Sequence, residues 1–371
     1  MSSLEAVLAP VAPLAWTDRF AQRTAGVTSS AIRELLKLTE RPDIISFAGG
    51  LPAPEAFPLV AVEAACRQVL EGHGAEALQY GATEGYLPLR QLLVRHMVRY
   101  GIEATPDNVL ITSGSQQALD LVGKLLINPG DHVATEQPTY LGALQAFRAY
   151  QAQYLPVSVD GDGMDVTRLE QALRGGPKFL YALPNFQNPS GVTLSLARRQ
   201  RVVELAAHYG VPIVEDDPYG QLRYEGEHLP PLVKLDAERR GGATDGGVIY
   251  LGTLSKILGP GLRIGWVVAP ADVIRKLVQL KQGADLHTST FAQMVAYETA
   301  RGGFLDAHVR HVRKVYGRRR DIMLRALEAH FPPQVRWTRP QGGLFLWVTL
   351  PPELDSACLL GRALEQKVAF V

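Results

Sequence analysis

The chain has 371 residues, with 38 Lys plus Arg against 37 Asp plus Glu and a formal net charge of +1. So even a balance offers no global field to draw in nucleic acid or an acidic membrane surface, while the length suffices for one large and one small domain. Two cysteines, Cys66 and Cys358, are too few for a disulfide framework and lie in no metal-spaced cluster, so a reducing, cytoplasmic setting is expected.

The N-terminus carries Glu5 and no basic stretch ahead of its apolar residues, which does not read as a secretory signal. No stretch approaches the apolar length of a membrane span. From Ser30 the spacing predicts a helix with Ile32, Leu35 and Leu36 inward. Arg33 on that helix has two readings, a solvated residue or a substrate contact. The Pro- and Gly-rich stretch 52–58 is a loop joining an N-terminal arm to the main body.

Short apolar strands are predicted over residues 109–112, 132–135, 179–182, 212–215, 248–252 and 264–269, with helices over 116–127, 143–150, 195–209 and 271–281 between them. Strands alternating with helices describe an α/β fold, a mainly parallel sheet covered on both faces, with room for one antiparallel strand. After Asp285 the pattern changes to long helices over 291–301 and 305–329, then strands near 335–338 and 344–350. The expected division is an arm and part of a small domain in 1–57, a large domain in 58–285, and the rest of a smaller α+β domain in 286–371. The run Arg318–Arg320 reads as a solvated helix face.

Four segments carry candidate chemistry. In ITSGSQQALD a strand ends in Ser113-Gly114-Ser115-Gln116 and a helix begins, so backbone N–H groups beside a glycine form an anion site or, equally, an ordinary cap. Tyr140, in QPTYLG, could stack on a flat ligand or simply pack. Asn188, in FQNPSG, follows a strand and serves either as a hydrogen-bond donor or as a turn initiator. In VPIVEDDPYG a buried strand delivers Glu215, Asp216 and Asp217 at its C-terminal end, where α/β sheets place their ligands. These acids are solvated strand-end charges, a metal pair or a partner for a ring nitrogen, and Asp216 has the expected spacing to Tyr219 for the last role.

The stretch VIYLGTLSKILGPGLRIGW, residues 248–266, holds the decisive lysine. A lysine that forms a Schiff base must sit at the end of a rigid element, partly desolvated, with a cation nearby for a phosphate. Lys256, with Thr253 and Ser255 just before it and Arg263 after it, meets those needs. The segment reads as the anchoring site of pyridoxal 5'-phosphate (PLP), with Ser115, Gln116, Tyr140, Asn188, Asp216, Tyr219, Thr253, Ser255 and Arg263 as the remaining candidate cofactor contacts.

With these residues in hand, the chain resembles the fold-type-I PLP-dependent aminotransferases of class I/II along nearly all its length. Segments such as SFAGGLPAPE, LQYGATEGYLPLR, FQNPSG and TRPQGGLFLW are similar to the prokaryotic 2-aminoadipate aminotransferases and their kynurenine aminotransferase relatives. The resemblance implies a mainly parallel seven-stranded sheet between helices and a homodimer in which Tyr80 reaches the partner's cofactor. It also implies Gly49 and Asn188 near the substrate carboxylate, and Arg33 paired with a distal carboxylate. The implied reaction moves an amino group between an amino acid (2-aminoadipate, glutamate, leucine or an aromatic acid) and a 2-oxo acid such as 2-oxoglutarate, with lysine biosynthesis as a setting. Lys256, Asp216 and Tyr219 would be its catalytic residues, with no metal. A PLP-dependent β-lyase and a non-catalytic PLP-binding sensor share Lys256 and Asp216 and stay open. Relatives continue past the point corresponding to Val371 to a carboxylate-binding arginine, so the expectation is a shortened C-terminal domain.

Overall fold

The computed structural model describes residues 14–27, 43–242 and 246–371. Twelve strands are present among them: β1 (Ile45–Ser46), β2 (Val109–Thr112), β3 (His132–Gln137), β4 (Gln153–Asp160), β5 (Gly163–Met164), β6 (Phe179–Ala182), β7 (Ile213–Asp216), β8 (Val248–Thr253), β9 (Gly265–Val268), β10 (Arg336–Trp337), β11 (Val348–Thr349) and β12 (Val368–Ala369). Eight of these form one sheet in the order β2-β9-β8-β7-β6-β3-β4-β5. Strands β8, β7, β6, β3 and β4 run parallel, while β9 lies antiparallel between β2 and β8. The seven-stranded expectation gains one member, because β4 turns back on itself into the two-residue β5.

The alternation of side chains along the strands separates two apolar layers. Leu110, Phe179, Tyr181, Val214, Ile249, Leu251 and Val267 face the helices Ser115–Leu126, Leu141–Arg148 and Ala271–Gln282. Their neighbours Val109, Ile111, Leu180, Ile213, Val248, Tyr250 and Val268 face the opposite layer, which includes Leu89, Leu93, Val202 and Leu232. Burial on both faces explains why these strands are continuous apolar runs.

Strand β4 is not among the strands that the sequence pattern predicts. It carries Pro156 and buries only Val157 fully, so it lacks both the β-branched run and a clean alternation. Pro is tolerated there because most of β4 pairs with β3 on one side only.

The sheet's direction sets the site. Strands β2, β3, β6, β7 and β8 all end at the same edge, and β9 begins there. Thr112, Gln137, Ala182, Asp216, Thr253 and Gly265 therefore share one rim, the place where parallel sheets present ligands.

Beyond the sheet, the helices Thr290–Ala300 and Phe304–His330 follow, with β10 and β11 paired antiparallel. Strand β1 pairs in parallel with β12, tying the segment before residue 50 to the end of the chain. The Arg318–Arg320 run departs from a purely solvated face. Arg320 is largely buried, ion-paired with Glu225 and Asp321 and lying over the Tyr224 ring at 5.6 Å. No helix among the described residues is long and apolar enough to cross a membrane.

Candidate active site

Lys256 follows β8 in a turn whose other residues are apolar anchors. Leu254, Ile257 and Leu258 are buried, and the amides of Ile257 and Leu258 donate back to the Leu254 carbonyl. Thr253 Oγ1 lies 2.9 Å from Ser255 Oγ and 3.1 Å from the Ile264 carbonyl oxygen, fastening the turn to the start of β9. The lysine side chain is thus the movable part of a fixed loop. Its Nζ donates to the Gly50 carbonyl at 3.0 Å, beside the positive-φ Gly49, and lies 6.0 Å from the Tyr219 ring centre. Burial, with a smaller push from the Arg263 guanidinium, lowers its pKa to about 8.

Three acids meet at the end of β7, and their partners differ. Glu215 is buried and accepts the amides of Leu232 and Val233, holding the start of the helix Leu232–Arg239. Asp217 accepts from Asn185 Nδ2, the Gly220 amide and the Tyr250 hydroxyl. Asp216 accepts from the Tyr181 hydroxyl at 2.8 Å through Oδ2 alone, and its Oδ1 is buried with no partner. Burial raises its pKa to about 7, opposed by the Tyr181 hydrogen bond and helped by Asp217. With Glu215 and Asp217 occupied by N–H and O–H donors, Asp216 alone offers a free carboxylate oxygen, and no cluster of metal-ligating side chains surrounds it among the described residues.

Tyr219 is buried with its ring edge-on to Phe345 at 5.6 Å. Burial pushes its phenol pKa well up, with Tyr140 and Asp216 adding to the shift and a hydrogen bond from Asn188 opposing it. Tyr140 reaches Gln116 Oε1 at 3.3 Å, and Gln116 Nε2 donates to the Gly142 carbonyl at 2.8 Å. Asn188, Tyr140, Tyr219 and Asp216 are therefore neighbours although 76 residues separate Tyr140 from Asp216.

The turn after β2 resolves the question of its cap. Gly114 precedes the helix Ser115–Leu126 with φ 78°, and no side chain caps that helix. Its first amides are left open, a condition that suits an anion. The packing requires glycine twice: a Cβ on Gly114 would sit 2.4 Å from Arg263 Nη2, and one on Gly265 would sit 2.7 Å from the Ser115 nitrogen. Arg263 Nη2 donates to the Ser113 carbonyl at 3.2 Å, so its guanidinium borders this turn.

Lys256, Asp216, Tyr219, Asn188, Tyr140, Gln116, Thr253, Ser255, Arg263 and the Ser115 turn are thus gathered at one rim. Tyr80 is not gathered with them. It is 79% exposed, edge-on to His287. Arg33 lies outside the described residues.

The family of class I and II aminotransferases matches residues 43–370. The chain belongs to that family. The aminotransferase is 48% identical to aromatic-amino-acid aminotransferase 1 of Thermococcus litoralis over 95% of its own length and 84% of the relative's. It superposes with a TM-score of 0.89 on the α-aminoadipate aminotransferase LysN of Thermus thermophilus, solved with N-(5'-phosphopyridoxyl)-L-leucine, at 44% identity over 96% of this chain and 88% of that one. A kynurenine aminotransferase of Pyrococcus horikoshii gives the same TM-score at 47% identity and the same coverages.

The aminotransferase is accordingly a PLP-dependent enzyme, and its residues fit that cofactor. The unpartnered, buried Asp216 Oδ1 suits a protonated ring nitrogen, and the uncapped, glycine-bordered turn beside Arg263 suits a phosphate.

Three supporting residues escape the sequence reading. Tyr181 holds Asp216, and Lys281 lies wholly buried against Asp285. Glu136, at the end of β3, accepts the Leu183 amide at 2.9 Å, and burial raises its pKa to about 8. A glutamate inside the run VATEQPTY is the one available signal, since a strand of a two-faced sheet rarely ends on an unpaired acid.

Proposed function

We propose that this aminotransferase moves the amino group of 2-aminoadipate, glutamate, leucine or an aromatic amino acid, kynurenine included, to a 2-oxo acid such as 2-oxoglutarate. Lysine biosynthesis is a setting that fits the 2-aminoadipate donor. The observation that carries the reading is Asp216 Oδ1, buried without a partner at the rim that also bears a lysine of lowered pKa.

PLP, when bound, supplies an electron sink for the bond broken at the substrate α-carbon. Asp216 Oδ1 would hold the proton of the ring nitrogen, and burial strengthens that ion pair. Tyr219 and Asn188 would donate to the ring oxygen, and Tyr140 would pack against the ring. The amides at Ser115 and Gln116, with Thr253, Ser255 and Arg263, would take the phosphate. Lys256 would anchor the cofactor's aldehyde through Nζ. The same Nζ, when free, would take the substrate's α-proton and return it, a role that suits a pKa lowered to about 8. Arg33, by its planar two-pronged donors, would pair with a distal carboxylate, and Gly49 lies near the α-carboxylate.

A homodimer would complete the site, with Tyr80 reaching the partner's cofactor phosphate. Support comes from exposed apolar residues at the two ends of the helix Leu59–Ala77 that leads to it, Leu59 and Val60 at its start and Leu78 beside Tyr80, each 70–82% exposed. The pairing of β1 with β12 supports a small domain made from both chain ends around the large domain of 58–285. Two free cysteines suit the cytoplasm.

A panel of amino donors with 2-oxoglutarate, followed by glutamate formation, tests the reading. Ammonia or pyruvate release without glutamate would point to lyase chemistry instead. Arg33→Ala should impair 2-aminoadipate and glutamate more than leucine, and equal losses for all three donors would remove Arg33 from the substrate site.

A further inference from the structure

A buried ion pair lies directly behind the turn that precedes the helix Ser115–Leu126. Lys281, in the last turn of the helix Ala271–Gln282, is 0% exposed. Its ammonium spends all its donors: Asp285 Oδ1 at 2.7 Å and Oδ2 at 2.8 Å, Gln117 Oε1 at 2.9 Å and Thr288 Oγ1 at 3.0 Å. The same three partners then grip Ser113. The Ser113 amide donates to Gln117 Oε1 at 2.8 Å, and its Oγ lies 3.2 Å from both Asp285 Oδ2 and Thr288 Oγ1. Gln117 Nε2 donates to Asp285 Oδ2 at 2.7 Å and closes the ring. From the other side Arg263 Nη2 holds the Ser113 carbonyl.

Every polar group of Ser113 is therefore fixed, yet Ser113 itself is not the residue whose amide opens the helix. Burying a lysine to hold one serine is costly as a source of stability, because desolvation offsets much of the attraction. It is effective for a different purpose. Ser113 is hinged to Gly114, whose positive φ aims the amides of Ser115 and Gln116 outward, and a turn containing glycine is free to move unless something restrains it.

We propose that the Lys281–Asp285 pair, through Gln117, Thr288 and Ser113, is a positioning device that presets the turn for the cofactor's phosphate. None of the five touches the reacting atoms. The inference rests on the reading that the Ser113–Gln116 turn takes the phosphate. A preset cup matters only to a ligand carrying that phosphate, since an adaptable turn would have to be ordered at the expense of binding.

Pyridoxal, which has the ring and aldehyde of the cofactor but no phosphate, separates positioning from general support. Binding of PLP and of pyridoxal to the full chain is titrated by the visible absorbance of the lysine-bound ligand, in wild type, Lys281→Met and Ser113→Ala. Lys281→Met should weaken PLP at least about tenfold, the scale of a lost charge-assisted contact, and leave pyridoxal within about twofold. Ser113→Ala removes the hydroxyl contacts with Asp285 and Thr288 while keeping the pair and the amide bond to Gln117, and should shift the same ratio by about threefold. If Lys281→Met does not fold, Ser113→Ala decides alone. Equal losses for both ligands, or no loss for either, would overturn the proposal and make the pair a tether for its helix. Failure of wild type to form the Lys256 adduct with PLP would instead overturn the functional reading.

Discussion

The rim of the sheet and the segment around Tyr80 are built on opposite terms. At the rim most polar side chains find partners within the chain, while Asp216 Oδ1 and Thr139 Oγ1 are buried without one and the first amides of the helix Ser115–Leu126 are uncapped. Beside Tyr80, Leu78 is exposed as well, and Tyr80's own ring contact is with His287. Burying an acid unpaired and exposing apolar side chains each call for an explanation, and the two explanations differ. The first region suits a small ligand that carries a protonated ring nitrogen and an anionic phosphate. The second would suit the surface of a second copy, as proposed above.

The largest expected effect breaks the first region outright. Lys256→Ala removes the buried amine proposed to bond the aldehyde and to carry the α-proton, so activity should fall below detection. Borohydride trapping should then label no lysine, whereas an adduct mapped to Lys178 or Lys281 would mean that the anchoring residue lies elsewhere.

Asp216→Asn comes next. It exchanges an anion for a neutral group of nearly the same shape, so the ligand could still bind while its ring nitrogen loses the charge that keeps it protonated. A drop of about a hundredfold to a thousandfold in half-reaction rate is expected, in the range set by removing one electrostatic partner. Asp217→Asn should cost less in rate and more in thermal stability, because Asp217 already serves Asn185, Gly220 and Tyr250. Stopped-flow absorbance on both variants compares them, and a larger rate loss for Asp217→Asn would transfer the role.

These two residues show what can be read in advance. The strands 109–112 and 179–182 are legible to the residue because all their side chains are buried and mostly apolar, and the carboxylates at the end of β7 follow from that strand. Which carboxylate is free is a different matter. It depends on Tyr181, 35 positions away, and on Asn185 and Tyr250 for the neighbour, contacts that only the stacking of β6, β7 and β8 creates. Lys281 is unreadable for the same reason: in a helical pattern with Lys276 it looks like one more solvated cation, yet it is completely buried. Spacing reports periodicity along one element, and supporting residues are chosen across elements.

The second region is probed by charge. Leu78→Asp places a carboxylate two positions from Tyr80, on a residue 77% exposed in the single chain, where it should cost folding little. If a second copy covers that surface, sedimentation should show the dimer weakened. Tyr80→Phe should leave the assembly intact and weaken PLP by about tenfold, as expected for one lost hydrogen bond to a charged group. Unchanged sedimentation in Leu78→Asp and unchanged PLP affinity in Tyr80→Phe would together argue that the Tyr80 surface serves another purpose.

The smallest effect falls on the join between Tyr181 and Asp216, and it is read in pH. Without cofactor, burial raises the Asp216 pKa from its ordinary value of 3.8 to about 7, and raises Glu215 to about 7 and Glu136 to about 8. A carboxyl whose pKa is raised by folding favours the folded state fully below its unfolded value and loses that advantage as pH rises through the folded one. The cofactor-free chain should therefore lose melting temperature between about pH 4 and pH 8. Bound PLP should flatten the share of this slope that belongs to Asp216, because a cation at Oδ1 favours the ionised form. Tyr181→Phe removes the donor that opposes the rise, so Asp216 should keep its proton to higher pH and the rate should fall about fivefold near neutrality, the scale of one ordinary hydrogen bond, with less loss as pH increases. A loss of equal size at every pH would mean that Tyr181 only packs against the strand, and the partner of Asp216 Oδ2 would have no part in setting its charge.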